Sequence, residues 1–397
     1  MKIIGLDVGG SSIVACPVEK MPRSVKRFFD ENKHQIPTFH ATTEGIAGLL
    51  ALQPDICVME PTGVHYSEFW YKALTHAGVK VFWVGHVQVR NYRKSERLPD
   101  KNDKADALAL ACYCLVHLEE PEFFLRFQPY PIDHLRRLCL QLQHLNRIQN
   151  PIVSCTRQYL AHEFPEAANR KSERQKPGDL PPLWGWLAEL RPSPFYDRLW
   201  SNSVAHDFGL EISDFTRLQS KRICEIERHQ DAIEQELQQL LALPIFTSYN
   251  AVFDEFGFGL RVRSLLLSHI YPISDFLGSD GLPLIEFTPS DNGKLQKRDR
   301  SLRAFKLRLG YGLVEDSSGK STRWIPGGSG LCRKALWQWC LTKIEPKNTR
   351  VATEVGQILS DYINRLKAGG TPGKVAQSRC CAKAVTILFK KLVRQIT

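Results

Sequence analysis

One stretch constrains the fold more than any other: Leu98-Pro99-Asp100-Lys101-Asn102-Asp103-Lys104-Ala105-Asp106-Ala107-Leu108-Ala109-Leu110-Ala111. From Ala105 the run is rich in Ala and Leu and free of Gly and Pro, which predicts a helix, and Pro99 stands where a first turn tolerates it. Asp103 and Asp106 are then three residues apart. That spacing puts both carboxylates on one helix face, where they repel unless a cation stands between or beside them. Two readings fit. A divalent metal is one such cation; alternatively, acids enrich the first turn of any helix because of its dipole, with Asp100 as the cap.

Two upstream acids bear on the choice. Met1 to Cys16 reads as an apolar strand carrying Asp7, a Gly9-Gly10 turn and a second strand, which predicts a hairpin. An Asp inside a buried strand is costly unless it is paired or bound to metal. Glu60 directly follows the apolar run Ile56-Cys57-Val58-Met59 and precedes Pro61-Thr62-Gly63. Strand end, acid, turn is where open α/β sheets place their sites. Together, Asp7, Glu60, Asp103 and Asp106 resemble the four acids of the RuvC-like domain of IS110-family transposases, and Lys101-Asn102-Asp103-x-x-Asp106-Ala107 resembles that family's final acidic pair.

With 397 residues and 43% hydrophobic content the chain is long enough for two or three cored domains. A net charge of +11 and a pI near 9.1 favour a polyanionic partner. The eleven cysteines are scattered without a C-x-x-C pair, so they read as reduced, mostly buried thiols of a cytoplasmic protein. No run reaches the length of a membrane span, and the N-terminus opens as a strand and not as a signal peptide.

Along the chain, residues 1–125 alternate strand and helix: helices over Thr43–Leu52 and about His65–His76, strands at Ile56–Met59 and Val79–Val84. That order predicts a largely parallel sheet extended by the antiparallel hairpin, an α/β RNase H-like (RuvC-like) domain. Arg90, Arg93, Lys94 and Arg97 surround Tyr92 just ahead of the acidic pair, either as a solvated face or as phosphate contacts. Residues 126–248 form a helical, coiled-coil region. Leu135, Leu138, Leu142, Leu145, Gln149, Ile152 and Tyr159 recur at threes and fours, with Pro151 as a kink, and so do Ile223, Ile226, Gln230, Ile233, Leu237 and Leu240. The two seams fit packing on each other within one chain or, with polar Gln230 specifying the pairing, a dimer. Residues 166–182 read as a surface loop, and the Trp184, Trp186, Phe195, Tyr196 and Trp200 group as core.

Residues 249–397 form a mainly α C-terminal region. Phe256-Gly257-Phe258-Gly259 and the helix after it resemble the helical hairpin opening the family's transposase domain, where Gly-turn amides hold phosphate; the family's usual Pro is missing here. Residues 283–300 read as a polar insertion. Glu315 to Lys320 has turn composition, which alone predicts an ordinary loop. Standing after Gly310-Tyr311-Gly312-Leu313 and before the Gly327-Gly328-Ser329-Gly330 turn, it resembles the loop of the family's nucleophilic serine. The resemblance selects Ser317 over Ser318, with Lys320 or Arg323 offsetting phosphate charge. The tail carries Lys374, Arg379, Lys383, Lys390, Lys391 and Arg394 around apolar residues, a basic amphipathic helix suited to nucleic acid.

The resemblance implies a DNA transposase or recombinase of an insertion sequence. It further implies Mg²⁺ held by Asp7, Glu60, Asp103 and Asp106, a covalent Ser317 intermediate, donor and target DNA, a structured non-coding guide RNA, and a homo-oligomer with composite sites. Two alternatives stay open. The Ile4-Gly5-Leu6-Asp7-Val8-Gly9-Gly10-Ser11 opening also resembles the first phosphate loop of actin-like-fold sugar kinases, whose second Asp-x-Gly loop is not found here. The other is an inactive nucleic-acid-binding protein.

Overall fold

A computed structural model describes residues 1–61, 66–125, 130–289, 295–318 and 321–396. The chain separates into two compact units, Met1–Phe127 and Gln128–Thr397.

In the first unit the elements follow as β1 (Ile3–Val8), β2 (Ser12–Val18), α1 (Val25–Asn32), β3 (Thr38–His40), α2 (Thr43–Ala51), β4 (Ile56–Met59), α3 (Tyr66–His76), β5 (Lys80–Trp83), α4 (His86–Ser95) and α5 (Asp103–Val116). The sheet order is β3-β2-β1-β4-β5. β1 and β2 form the expected hairpin, Ile3 opposite Val18 and Val8 opposite Ile13, while β4 runs parallel to β1 and β5 parallel to β4. This is an RNase H-like sheet. Both faces are covered, so its central strands are apolar apart from Asp7: Ile3, Val14 and Val58 face one core with Leu108 and Phe29, and Ile4, Leu6 and Met59 face another with Leu49 and Trp70.

Helix α5 lies directly on β1. A Cβ on Gly5 would collide with the carbonyl oxygen of Ala107 and the amide of Ala111, so a glycine facing two alanines lets helix and strand backbones meet. That close approach fixes where the first turn of α5 stands. The helix begins at Asp103 and its cap is Asn102, whose side chain accepts from the Ala105 amide at 3.1 Å. Asp100 is therefore not the cap, and Pro99 lies in the preceding turn and not in the helix.

The second unit begins with α6 (Ile132–Glu163), which runs through Pro151, and continues with the short helices α7 (Pro165–Ala168), α8 (Pro182–Leu187), α9 (Pro194–Ser201) and α10 (Val204–Asp207) and the long α11 (Asp214–Leu241). The seams of α6 and α11 pack on each other. Gln230 donates to Gln149 at 2.9 Å and accepts from Arg261 at 2.8 Å, so this polar seam residue finds its partners within one chain. Residues 166–182 are not a free loop. Leu180 is buried, and Arg174 bonds Asp231 and Glu234 of α11, the latter at 2.6 Å. Trp184 and Tyr196 are buried as expected of a core group, whereas Phe195 is exposed.

Then come α12 (Thr247–Glu255), α13 (Leu260–Ile270), β6 (Ile285–Pro289), β7 (Leu295–Asp299), α14 (Arg300–Arg308), β8 (Gly312–Ser318), β9 (Ser321–Gly327), α15 (Gly330–Trp339), α16 (Glu354–Ala368) and α17 (Gly373–Ile396). The expected mainly α region thus contains two antiparallel hairpins, one in the supposed insertion. The Phe256–Gly259 turn is packed at its first three residues, where Phe256 and Phe258 are buried and stacked at 5.1 Å and Val351 covers Gly257, while Gly259 is exposed. The tail helix α17 is a core element. Its Cys380, Cys381, Val385, Leu388 and Leu392 are buried, Lys391 pairs with Glu255 at 2.7 Å, and Lys374, Arg379, Lys390 and Arg394 remain exposed.

Candidate active site

Three pieces of backbone, the ends of β1 and β4 and the start of α5, bring four carboxylates into one electrostatic neighbourhood in the first unit. The β1–β4 register pairs Leu6 with Met59, so Asp7 and Glu60 occupy the next rung at the ends of parallel strands. Asp103 and Asp106 are supplied by the first turn of α5, docked through Gly5. Burial raises the Asp7 carboxyl from an ordinary 3.8 to about 7, and the charges of Asp103, Asp106 and Glu60 push the same way while Arg93 opposes them. Asp106 is also raised, first by burial, despite its bonds from Arg93. Asp7 is thus held in a common field by three other acids.

Two basic side chains already address these acids. Arg93 of α4 donates from Nη1 to both carboxylate oxygens of Asp106, at 2.5 and 2.8 Å, and from Nη2 to Asp100 at 3.3 Å. His86 Nδ1 lies 2.5 Å from Glu60. Among the described residues no three His, Cys, Asp or Glu side chains stand close enough together to hold a metal ion. The donor chemistry still suits a hard divalent cation, since all four candidates are carboxylates and Asp7 is partly desolvated. Arg93, expected among phosphate-contacting bases, is buried against Asp106, whereas Arg90, Lys94 and Arg97 are exposed. Two signals could have found these partners: Val89 and Arg93 share the buried face of α4, and His86 follows the end of a parallel strand.

Residues 4–165 match the family model of DEDD transposases of the IS110 type, described as a transposase. Over these residues the chain matches the IS110 transposase family. The resemblance carried by the four acids therefore holds across the surrounding sequence. No curated protein matches the chain. Among solved structures, a Thermus thermophilus RuvC structure is 16% identical, covering 31% of this chain and 98% of that one at a TM-score of 0.20. T. thermophilus RuvC in complex with Holliday junction substrate is 18% identical, covering 32% and 99% at 0.18.

The serine expected of an IS110 transposase lies beyond the matched residues. Ser317 is exposed near the end of β8, paired with Thr322, so it belongs to a hairpin strand and not to a loop. Arg323 is opposite Asp316 and bonds it at 2.7 Å. Because side chains alternate across a strand, that ion pair lies on the face away from Ser317. Ser317 shares its face with Glu315 and Trp324, and these two line a cavity of about 520 Å³ with Arg298, Arg300 and Arg303. Arg298 and Arg300 fall in the supposed insertion, and Arg303 in the helix that follows it. Lys320, and the side chain of Ser318, lie outside the described residues. Among the described residues no helix is long and apolar enough to cross a membrane.

Proposed function

We propose that this IS110-type transposase cuts and rejoins DNA strands of an insertion sequence, with Asp7, Glu60, Asp103 and Asp106 as the divalent-metal ligands of its RuvC-like unit. The observation that carries this reading is the Asp7 carboxyl, raised to about 7 by burial and by the three other acids. Such a concentration of negative charge at a strand end is favourable only with cations. Mg²⁺ suits an all-oxygen donor set and, when bound, neutralises phosphate charge and orients the attacked phosphorus. Here Arg93 and His86 hold Asp106 and Glu60 in place by charge-assisted bonds.

Ser317 is the proposed nucleophile. Its Oγ forms a P–O bond as the bond to the departing strand hydroxyl breaks, the serine proton ending on that leaving oxygen. A strand hydroxyl then reverses the exchange, so one phosphodiester is conserved throughout. Ser317 is exposed, and the arginines near its face supply charge for a phosphate. Guidance by a structured non-coding RNA and work as a homo-oligomer follow from the family resemblance, with the charge of +11 as physical support for polyanion binding.

Strand exchange by Asp103→Asn tests the reading. With Mg²⁺, DNA and the element's RNA, cleavage should fall by about 10³-fold or more while nucleic-acid binding persists, because only transition-state charge stabilisation is removed. Recombination at the wild-type rate would return Asp103 to an ordinary first-turn acid.

A further inference from the structure

The second unit contains a cavity of about 710 Å³ between α6, α13, α14 and the turn into α15, in the range of small-molecule sites. Its walls combine two chemistries. Leu140, Leu265, Phe276 and Leu307 make them apolar, and Arg136 and Arg308 bring two guanidinium groups. Both arginines are exposed, and neither has a side-chain hydrogen bond or ion pair among the described residues. Both also act on His269, which burial first, then these two charges, hold below its ordinary range. Burial and these two charges therefore favour the neutral ring of His269. Its Nδ1 lies 2.9 Å from the Leu265 carbonyl, which can only accept, so Nδ1 carries the proton and Nε2 is an acceptor. Ser329 caps α15 by accepting from the Cys332 amide, and Gly328 through Leu331 line the same cavity. Asp275 is the acid in the lining.

We propose that this cavity takes one unstacked nucleotide of a bound nucleic-acid strand, its base against the apolar walls and its phosphate on Arg136 and Arg308. Apolar walls with an acceptor suit a base, and paired guanidiniums suit a phosphate. A free inorganic anion would leave the apolar walls unused. The proposal rests on the nucleic-acid function argued above, and it places binding on residues other than the four acids and Ser317.

The full chain tests it with a single strand carrying 4-thiothymidine, photocrosslinked and mapped by mass spectrometry, beside calorimetric titration with thymidine 5′-monophosphate. Crosslinks should fall on Leu140, Leu265, Phe276 or Leu307, and Arg136→Ala/Arg308→Ala should weaken mononucleotide affinity and crosslinking about tenfold or more. Arg136→Lys/Arg308→Lys should recover part of the loss, separating charge from folding. A strand that binds but crosslinks only elsewhere overturns the pocket and leaves the proposed function standing. Mononucleotide binding without strand binding makes it a free-nucleotide site and overturns the strand assignment. Binding of neither overturns the pocket together with nucleic-acid function.

Discussion

The acids of the first unit and the serine of the second differ in how the fold treats them. Asp7 lies within a covered sheet, Asp103 and Asp106 are held by a helix docked backbone to backbone, and Arg93 is buried to meet them. Ser317 stands on a hairpin whose neighbours Leu313, Trp324 and Ile325 are all exposed. A cluster of partly buried charge is sustained only where packing over-determines it, so the acid site carries a physical signature before any ligand is considered. The serine carries none of that kind. Its chemistry requires a phosphate brought to an open face, and evidence for it must come from a trapped product.

The sharpest way to break this contrast is to remove the packing that the acids depend on. Gly5→Val should force α5 off β1 and destabilise the chain by at least about 3 kcal/mol, with loss of the first unit's cooperative melt by circular dichroism. A native melt would mean that the docking of α5 does not fix the acids. Smaller is Arg93→Ala, which leaves partly buried Asp106 without its two bonds from Arg93 and should cost about 1–3 kcal/mol in denaturant titration. An unchanged midpoint would show that the pair is solvated.

Acidity gives a third test. Because the folded Asp7 carboxyl stands near 7 against an ordinary 3.8, the folded chain binds a proton that the unfolded chain releases between those values. Its contribution to stability is full below about 3.8 and lost as pH rises through about 7. Melts in chelator from pH 4 to 8 should therefore show a falling component that Asp7→Asn abolishes; the same slope in the variant would assign it elsewhere. The smallest effect belongs to the ribbon. Arg323→Ala removes a pair whose side chains are 75% and 42% exposed, so stability should change by no more than about 0.5 kcal/mol. A larger loss would show that the ribbon is packed as the acid site is.

The same contrast explains what was legible in the sequence. Ile3 to Val8 and Ile56 to Met59 announce themselves because strands covered on both faces are near-continuous apolar runs, and Asp7 within the first and Glu60 after the second stand out against them. The pairing of Arg93 with Asp106 was hidden because a basic residue before an acidic pair looks like surface, although Val89 marks its face as the inner one. Both C-terminal hairpins were missed for the opposite reason. Phe287, Leu295, Leu313 and Trp324 are exposed, so no buried face imposes a two-residue alternation there. Gln230 was legible as a polar seam residue, but its partners Gln149 and Arg261 come from helices far away in sequence.

The central claim, that the four carboxylates form one cation site, is tested most directly by Mn²⁺ binding followed by electron paramagnetic resonance on the full chain. The account predicts saturable binding by the wild type, its loss in Asp7→Asn and in Asp103→Asn, and its persistence in Ser317→Ala. Binding by Asp7→Asn and Asp103→Asn indistinguishable from the wild type would contradict it.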